Sequence, residues 1–111
     1  MTYQQVAAMV RSIGVPYAYY QFPDGTGQAC PFICFFFSDS NDLAADNTNY
    51  QKIRTLNIEL YTDNKDFTLE ETVETVLNSN GLVYDRSESY LDSERMFMVV
   101  YTTDILITEE N

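Results

Sequence analysis

Between residues 53 and 108 the spacing of apolar side chains changes from two to 3.6 and back to two, and few folds accommodate that switch. Over 53–62, Leu56, Ile58 and Leu60 alternate with Asn57, Glu59 and Tyr61, which predicts a strand with one buried face. The next segment is helical: Leu69, Val73, Val76 and Leu77 fall on one side. Thr68 and Glu71 have capping-box spacing, Glu70, Glu71 and Glu74 complement the positive helix start, and Asn80-Gly81 ends it. A strand over 82–87, a turn or bulge near 90–93 and a long strand over 96–108 follow. In that last strand Met96, Met98 and Val100 take one face, and Phe97, Val99, Tyr101, Ile105 and Ile107 the other.

The first half reads as a helix and two strands. Val6, Met9, Val10 and Ile13 recur at helical spacing over 2–13. Thr2 and Gln5 stand at capping-box positions, Gly14 is a stop and Pro16 blocks continuation. A strand over 17–22, a turn signal at Pro23-Asp24-Gly25 and a strand over 32–37 predict an antiparallel hairpin with a long loop. The second of these strands is apolar on both faces, hence central or covered. Residues 38–49 are polar and loop-like. The order is α-β-β-β-α-β-β, an α+β class with a mainly antiparallel sheet and two helices on one face, in a single domain of 111 residues. Two helices in so small a domain cover one sheet face only, so aromatic sheet surface is expected to meet another subunit. The candidate contact residues are Tyr17, Tyr19, Tyr20, Phe35, Phe37, Phe97 and Tyr101.

Composition narrows the function classes. The chain is 45% hydrophobic, which fits a folded protein rather than a disordered one. Seventeen acidic and six basic residues give a formal charge of −11, the wrong sign for a surface that neutralises phosphates. The tyrosines at 17, 19 and 20 could stack bases, but a base-stacking platform needs a basic groove and only Arg11 is near in sequence. Histidine is absent, which removes histidine-based nucleophilic catalysis and histidine metal ligation. No run approaches the ~18 apolar residues of a membrane span, and the N-terminus lacks signal-peptide regions. No cofactor is expected, since no Gly-rich phosphate loop occurs.

Cys30 and Cys34 are the only cysteines. On one strand, four residues place their Cα atoms ~13 Å apart, beyond disulfide reach, so they read as small buried hydrophobes. Reduced thiols fit an intracellular origin. The acidic run Asp39-Ser40-Asn41-Asp42, with Asp46 and Asn47, invites a calcium reading, but Leu43 and Ala44 stand where ligand and glycine belong and no Glu closes the loop. Glu88 and Glu94, with Arg86 and Arg95 nearby, could be a catalytic acid pair, but a charged, solvated hairpin end is the favoured reading of them.

A resemblance adds to this reading. Ala45-Asp46-Asn47, Tyr50-Gln51-Lys52-Ile53 and Leu56-Asn57-Ile58-Glu59-Leu60-Tyr61-Thr62-Asp63 resemble a protein family of phages and prophages of Gram-positive bacteria. The likeness continues through Lys65-Asp66, Leu69-Glu70, Val73-Glu74, Tyr84, Ser93-Glu94-Arg95-Met96 and Tyr101, and includes Pro16-Tyr17-Ala18-Tyr19-Tyr20 and the apolar strand after Pro31. The family looks like the tail terminators, or tail completion (tail-to-head joining) proteins, of long-tailed phages.

The resemblance implies a helix-flanked antiparallel sheet and a homo-oligomeric ring, a hexamer in the family. Such a ring caps the tail tube, ends its polymerisation and offers a docking surface to the head connector. It implies a virion location, with assembly in the host cytoplasm, and no catalysis. Another neck component, a head-closure or adaptor protein, is the alternative. Asp39, Asp42 and Asp46 are the candidate docking loop. Glu70, Glu71 and Glu74 are candidate lumen-facing acids, since carboxylates let DNA slide past without the affinity that Lys and Arg create. Expected partners are sister copies, the tail tube protein and the head connector.

Overall fold

The capping box at Thr2 forms as predicted. In the computed structural model, which describes residues 1–22, 28–40, 43–44 and 50–108, helix α1 spans Tyr3–Arg11. Thr2 Oγ1 accepts from the Gln5 amide (3.1 Å), and Gln5 Oε1 accepts from the Thr2 amide (2.8 Å). Val6, Met9 and Val10 bury the predicted stripe, and Gly14 turns the chain away at φ +96°.

Strand β1 is Tyr17–Tyr19 and β2 is Phe32–Ser40. They pair in parallel, Tyr17 opposite Ile33 and Tyr19 opposite Phe35, which corrects the expected antiparallel hairpin. Residues 20–31 are long enough to carry the chain back to the end it left, as parallel pairing requires. β1 is also shorter than predicted, ending where Tyr20 takes φ +70°. The Pro23-Asp24-Gly25 signal lies outside the described residues. Cys30 precedes β2 instead of sharing it with Cys34, and both thiols are free. Burial, then Asp63, raises the Cys30 pKa; burial, then Glu59, raises that of Cys34.

The segment 38–49 is not all loop. β2 continues to Ser40, and β3 (Leu43–Ala44) pairs with the start of β4 (Tyr50–Thr62). β2 and β4 run antiparallel, with Ile33 opposite Leu60 and Phe37 opposite Leu56. Ser38 is an extra residue before Asp39 meets Thr55, a bulge that shifts the strand end to the other face.

Helix α2 spans Phe67–Ser79 and is capped two residues earlier than predicted: Asp66 Oδ1, not Thr68, accepts from the Leu69 amide at 3.0 Å. At its far end the Leu82 amide reaches Leu77 O (3.1 Å) and the Gly81 amide reaches Asn78 O (3.0 Å), with Gly81 at φ +72°. Those two bonds form a Schellman closure, and the left-handed position explains the glycine. β5 is Asp85–Leu91, later than the predicted 82–87, and residues 92–95 turn into β6, Met96–Ile107.

The sheet order is β1-β2-β4-β6-β5, antiparallel except at β1–β2, with β3 against β4 off this path. The class is α+β, and the order matches the expectation with one short strand added. Ile33 and Phe35, Leu56, Ile58 and Leu60, and Val99, Tyr101, Ile105 and Ile107 point to one face by register. They share a core with Val6, Met9 and Val10 of α1 and Val73 and Leu77 of α2, so both helices cover the same face.

Candidate assembly surfaces

The open sheet face divides by chemistry. At one end Phe32 stacks on Tyr61 with centroids 4.7 Å apart, Phe22 meets Phe32 edge-on at 5.5 Å, and Tyr20 packs on Phe36 at 5.4 Å. Tyr61 donates to Glu59 Oε1 (2.8 Å); burial, then this bond, pushes its phenol well above the usual range. Toward the other end the side chains form a polar ladder. Asn57 Nδ2 donates to Ser38 Oγ (2.8 Å), Thr102 Oγ1 to Asn57 Oδ1 (3.1 Å) and Thr55 Oγ1 to Asp104 Oδ1 (2.8 Å).

The seven candidate contact residues do not lie together on that open face. Register places Tyr17, Tyr19, Phe35, Phe37, Phe97 and Tyr101 on the helix side, and only Tyr20 packs toward the open one. Phe35 and Tyr101 are core residues: Tyr101, at 0% exposure, cannot lie on a contact surface, and Phe35 reaches the outside only as lining of a groove. Their aromatic character serves the subunit's own packing. Tyr17, Tyr19 and Tyr20 remain exposed along the β1 edge, and the hydroxyl of Tyr19 accepts from the Phe37 amide (3.2 Å).

Beside α1, this edge opens into a groove of about 560 Å³ lined by Tyr3, Ala7, Tyr19, Phe35 and Phe37, with Asp39 and Arg54 also along it. Tyr3 meets Phe37 edge-on at 5.3 Å, and Tyr19 meets Phe35 in the same way at 5.3 Å.

The same helix-covered face carries an ion-pair cluster toward its β5 edge. Glu70 is buried at 4% exposure, so it faces the protein interior and cannot line a lumen. Its carboxylate binds Lys65, and Arg86 Nη2 lies 2.5 Å from its Oε1. Glu88 Oε1 takes Lys65 at 2.7 Å and Arg86 at 3.1 Å. Tyr101 donates to Glu74 Oε2 (2.9 Å), and Arg86 Nε is 3.7 Å from the same oxygen. Lys65 Nζ sits 5.2 Å from the Phe67 ring centre and 5.8 Å from that of Phe97.

The Lys65 bond first, against some desolvation and with help from Arg86, holds the Glu88 carboxyl below its ordinary range. Desolvation pulls the Lys65 ammonium down, but its bonds to Glu70 and Glu88 outweigh that and hold it above its ordinary range. Glu88 is therefore committed to two cations. Glu94 lies in the turn beyond β5, where Ser93 donates to it. The arrangement is a structural clamp between α2 and β5.

Glu71 is exposed and Glu74 half-buried. Asp39 belongs to β2, whereas Asp42 and Asp46 lie outside the described residues. Among the described residues no group of three or more metal-ligating side chains gathers, and no helix is long and apolar enough to cross a membrane.

No protein-family model matches the chain, and no curated protein matches it. Among solved structures it is similar to a chain of the virion of a native gene transfer agent particle. That likeness has a TM-score of 0.59 at 15% identity and covers 92% of this chain and 87% of the other. At this identity the likeness is one of fold, and it runs through nearly the whole of both chains.

Proposed function

We infer that this chain is a structural component of a virion, a tail terminator that assembles as a ring on the end of a tail tube. The ring ends tube polymerisation and presents a surface to the head connector, without catalysis. The observation that carries the reading is the near full-length fold likeness to a chain of a gene transfer agent virion. The resemblance to tail terminators, carried by segments between Pro16 and Tyr101, supports it independently.

The physical chemistry suits the role. Each copy brings a charge of −11, so contacts between copies must be apolar or locally charge-paired, and the acidic excess must face outward or into the lumen. Glu71 and Glu74 are the acids of α2 left for a lumen wall, where carboxylates repel passing DNA. The segment around Asp39, Asp42 and Asp46 is the docking candidate. The partners are sister copies, the tail tube protein and the head connector.

Deleting the gene from a producing genome and imaging the particles by negative stain tests the reading. Overlong tails are expected. Tails of normal length that stay unattached to heads would assign the chain to another neck position, such as head closure. Normal tails on normal particles would overturn both assignments.

A further inference from the structure

Acidic side chains are unequally divided between the two edges of the sheet. Residues 1–54 hold four acidic and three basic side chains, whereas residues 55–111 hold thirteen acidic and three basic ones. The topology converts this into a spatial asymmetry. α1, β1 and β2, at one edge of the sheet, carry Arg11 and Asp39 and are neutral together; α2, β5 and β6, toward the other edge, carry Glu70, Glu71, Glu74, Asp85, Glu88 and Asp104 against Arg86. Two acidic sides placed together repel, so copies of this chain meet most favourably with the neutral side of one against the acidic side of the next.

Each side also carries exposed apolar surface of a different shape. The neutral side has the aromatic groove beside α1, floored by Phe35 and walled by Tyr3, Ala7, Tyr19 and Phe37. The acidic side has a projection: Phe67, the first residue of α2, is 67% exposed although it has no polar group to hold it in water. Asp63, Asp66 and Glu71 flank it in sequence, and Arg11, in the last turn of α1, belongs to the groove side.

We propose that Phe67 of one copy inserts into the Tyr3–Ala7–Tyr19 groove of the next, forming a head-to-tail contact between opposite edges of the sheet. Groove and projection are different patches, so the contact is heterologous, the kind that closes into a ring or extends as a filament. This deepens the assembly reading and rests on it.

Sedimentation of the full chain over a concentration series tests the contact with two variants. Ala7→Arg fills the groove and leaves the projection; Phe67→Glu removes the projection and leaves the groove. The wild-type chain is expected to self-associate, and each variant alone to do so at least about tenfold more weakly. Mixing the variants pairs the intact Phe67 of one with the intact groove of the other. The mixture should therefore form one-to-one pairs and nothing larger, a rescue that also shows both variants to be folded. Association of either variant at wild-type strength, a mixture that forms no pairs, or a wild-type chain still monomeric near ~1 mM would each overturn the contact. Tail length in producing cells tests the assembly reading separately, so normal length control with unaffected variants would sink this contact alone.

Discussion

Arg86 on the edge strand β5 lies 2.5 Å from the buried carboxylate of Glu70 on α2, and this pair fastens the outermost strand to the helix layer. The pair is asymmetric: Glu70 is nearly inaccessible, whereas the Arg86 side chain keeps 34% of its exposure. Removing the acid leaves cations that water can still reach, and removing the cations strands a buried charge.

Arg86→Ala is expected to destabilise the fold by about 2–4 kcal/mol, read from denaturant unfolding, because it leaves the buried Glu70 carboxylate with Lys65 alone. Replacing Glu70 and Arg86 together with Leu should recover part of that loss, because no unpaired charge is then left buried. A double variant less stable than Arg86→Ala would contradict the clamp.

The Lys65–Glu88 contact sets a pH dependence at both extremes. The depressed carboxyl of Glu88 contributes stability above its unfolded pKa of about 4.3, lost as pH falls through its lower folded value. The raised ammonium of Lys65 contributes stability below its unfolded pKa of about 10.4, lost as pH rises through its higher folded value. Melting temperature against pH should therefore fall less steeply on the acid side in Glu88→Gln than in wild type. Identical acid limbs would remove the contact from the stability account.

Alkaline titration followed by ultraviolet absorbance should show late ionisation of Tyr61 and Tyr101. Burial comes first in holding back Tyr61 and Tyr101, with Glu59 and Glu74 as their respective carboxylate neighbours. Tyr61→Phe and Tyr101→Phe should each remove one late-ionising phenol from the curve. Tyr101→Phe should also cost about 1 kcal/mol for the lost bond to Glu74.

Gly81→Ala is expected to cost about 1 kcal/mol in thermal or denaturant unfolding. No atom lies within 4 Å of the added Cβ, so the whole cost comes from forcing an L side chain to φ +72°. A neutral result would mean that the helix end relaxes to another closure.

Much of the fold is legible from apolar spacing, since period two and period 3.6 report which faces are buried. The alternation at Leu56, Ile58 and Leu60 and the odd-numbered face of β6 are both in the structure. Strand pairing is less legible. Nothing local in Tyr17–Tyr19 distinguishes a parallel neighbour from an antiparallel one, because the return path through 20–31 decides it. The Glu70 environment is less legible too, although a signal exists: 70, 73 and 77 share one helical stripe, and Glu70, Val73 and Leu77 are the buried residues of α2. Charge argued for the surface there, and the long-range partner Arg86, which overrides it, is invisible to a local pattern. The same limit misplaced Phe35 and Tyr101, whose aromatic rings fill the core.

The most direct test of the assembly account is to add the labelled, purified chain to isolated tail tubes and locate the label by electron microscopy. The account predicts a ring-like density at one end of each tube and a halt to further growth there. Label spread along the tube wall, or tubes that stay bare and continue to lengthen, would contradict it.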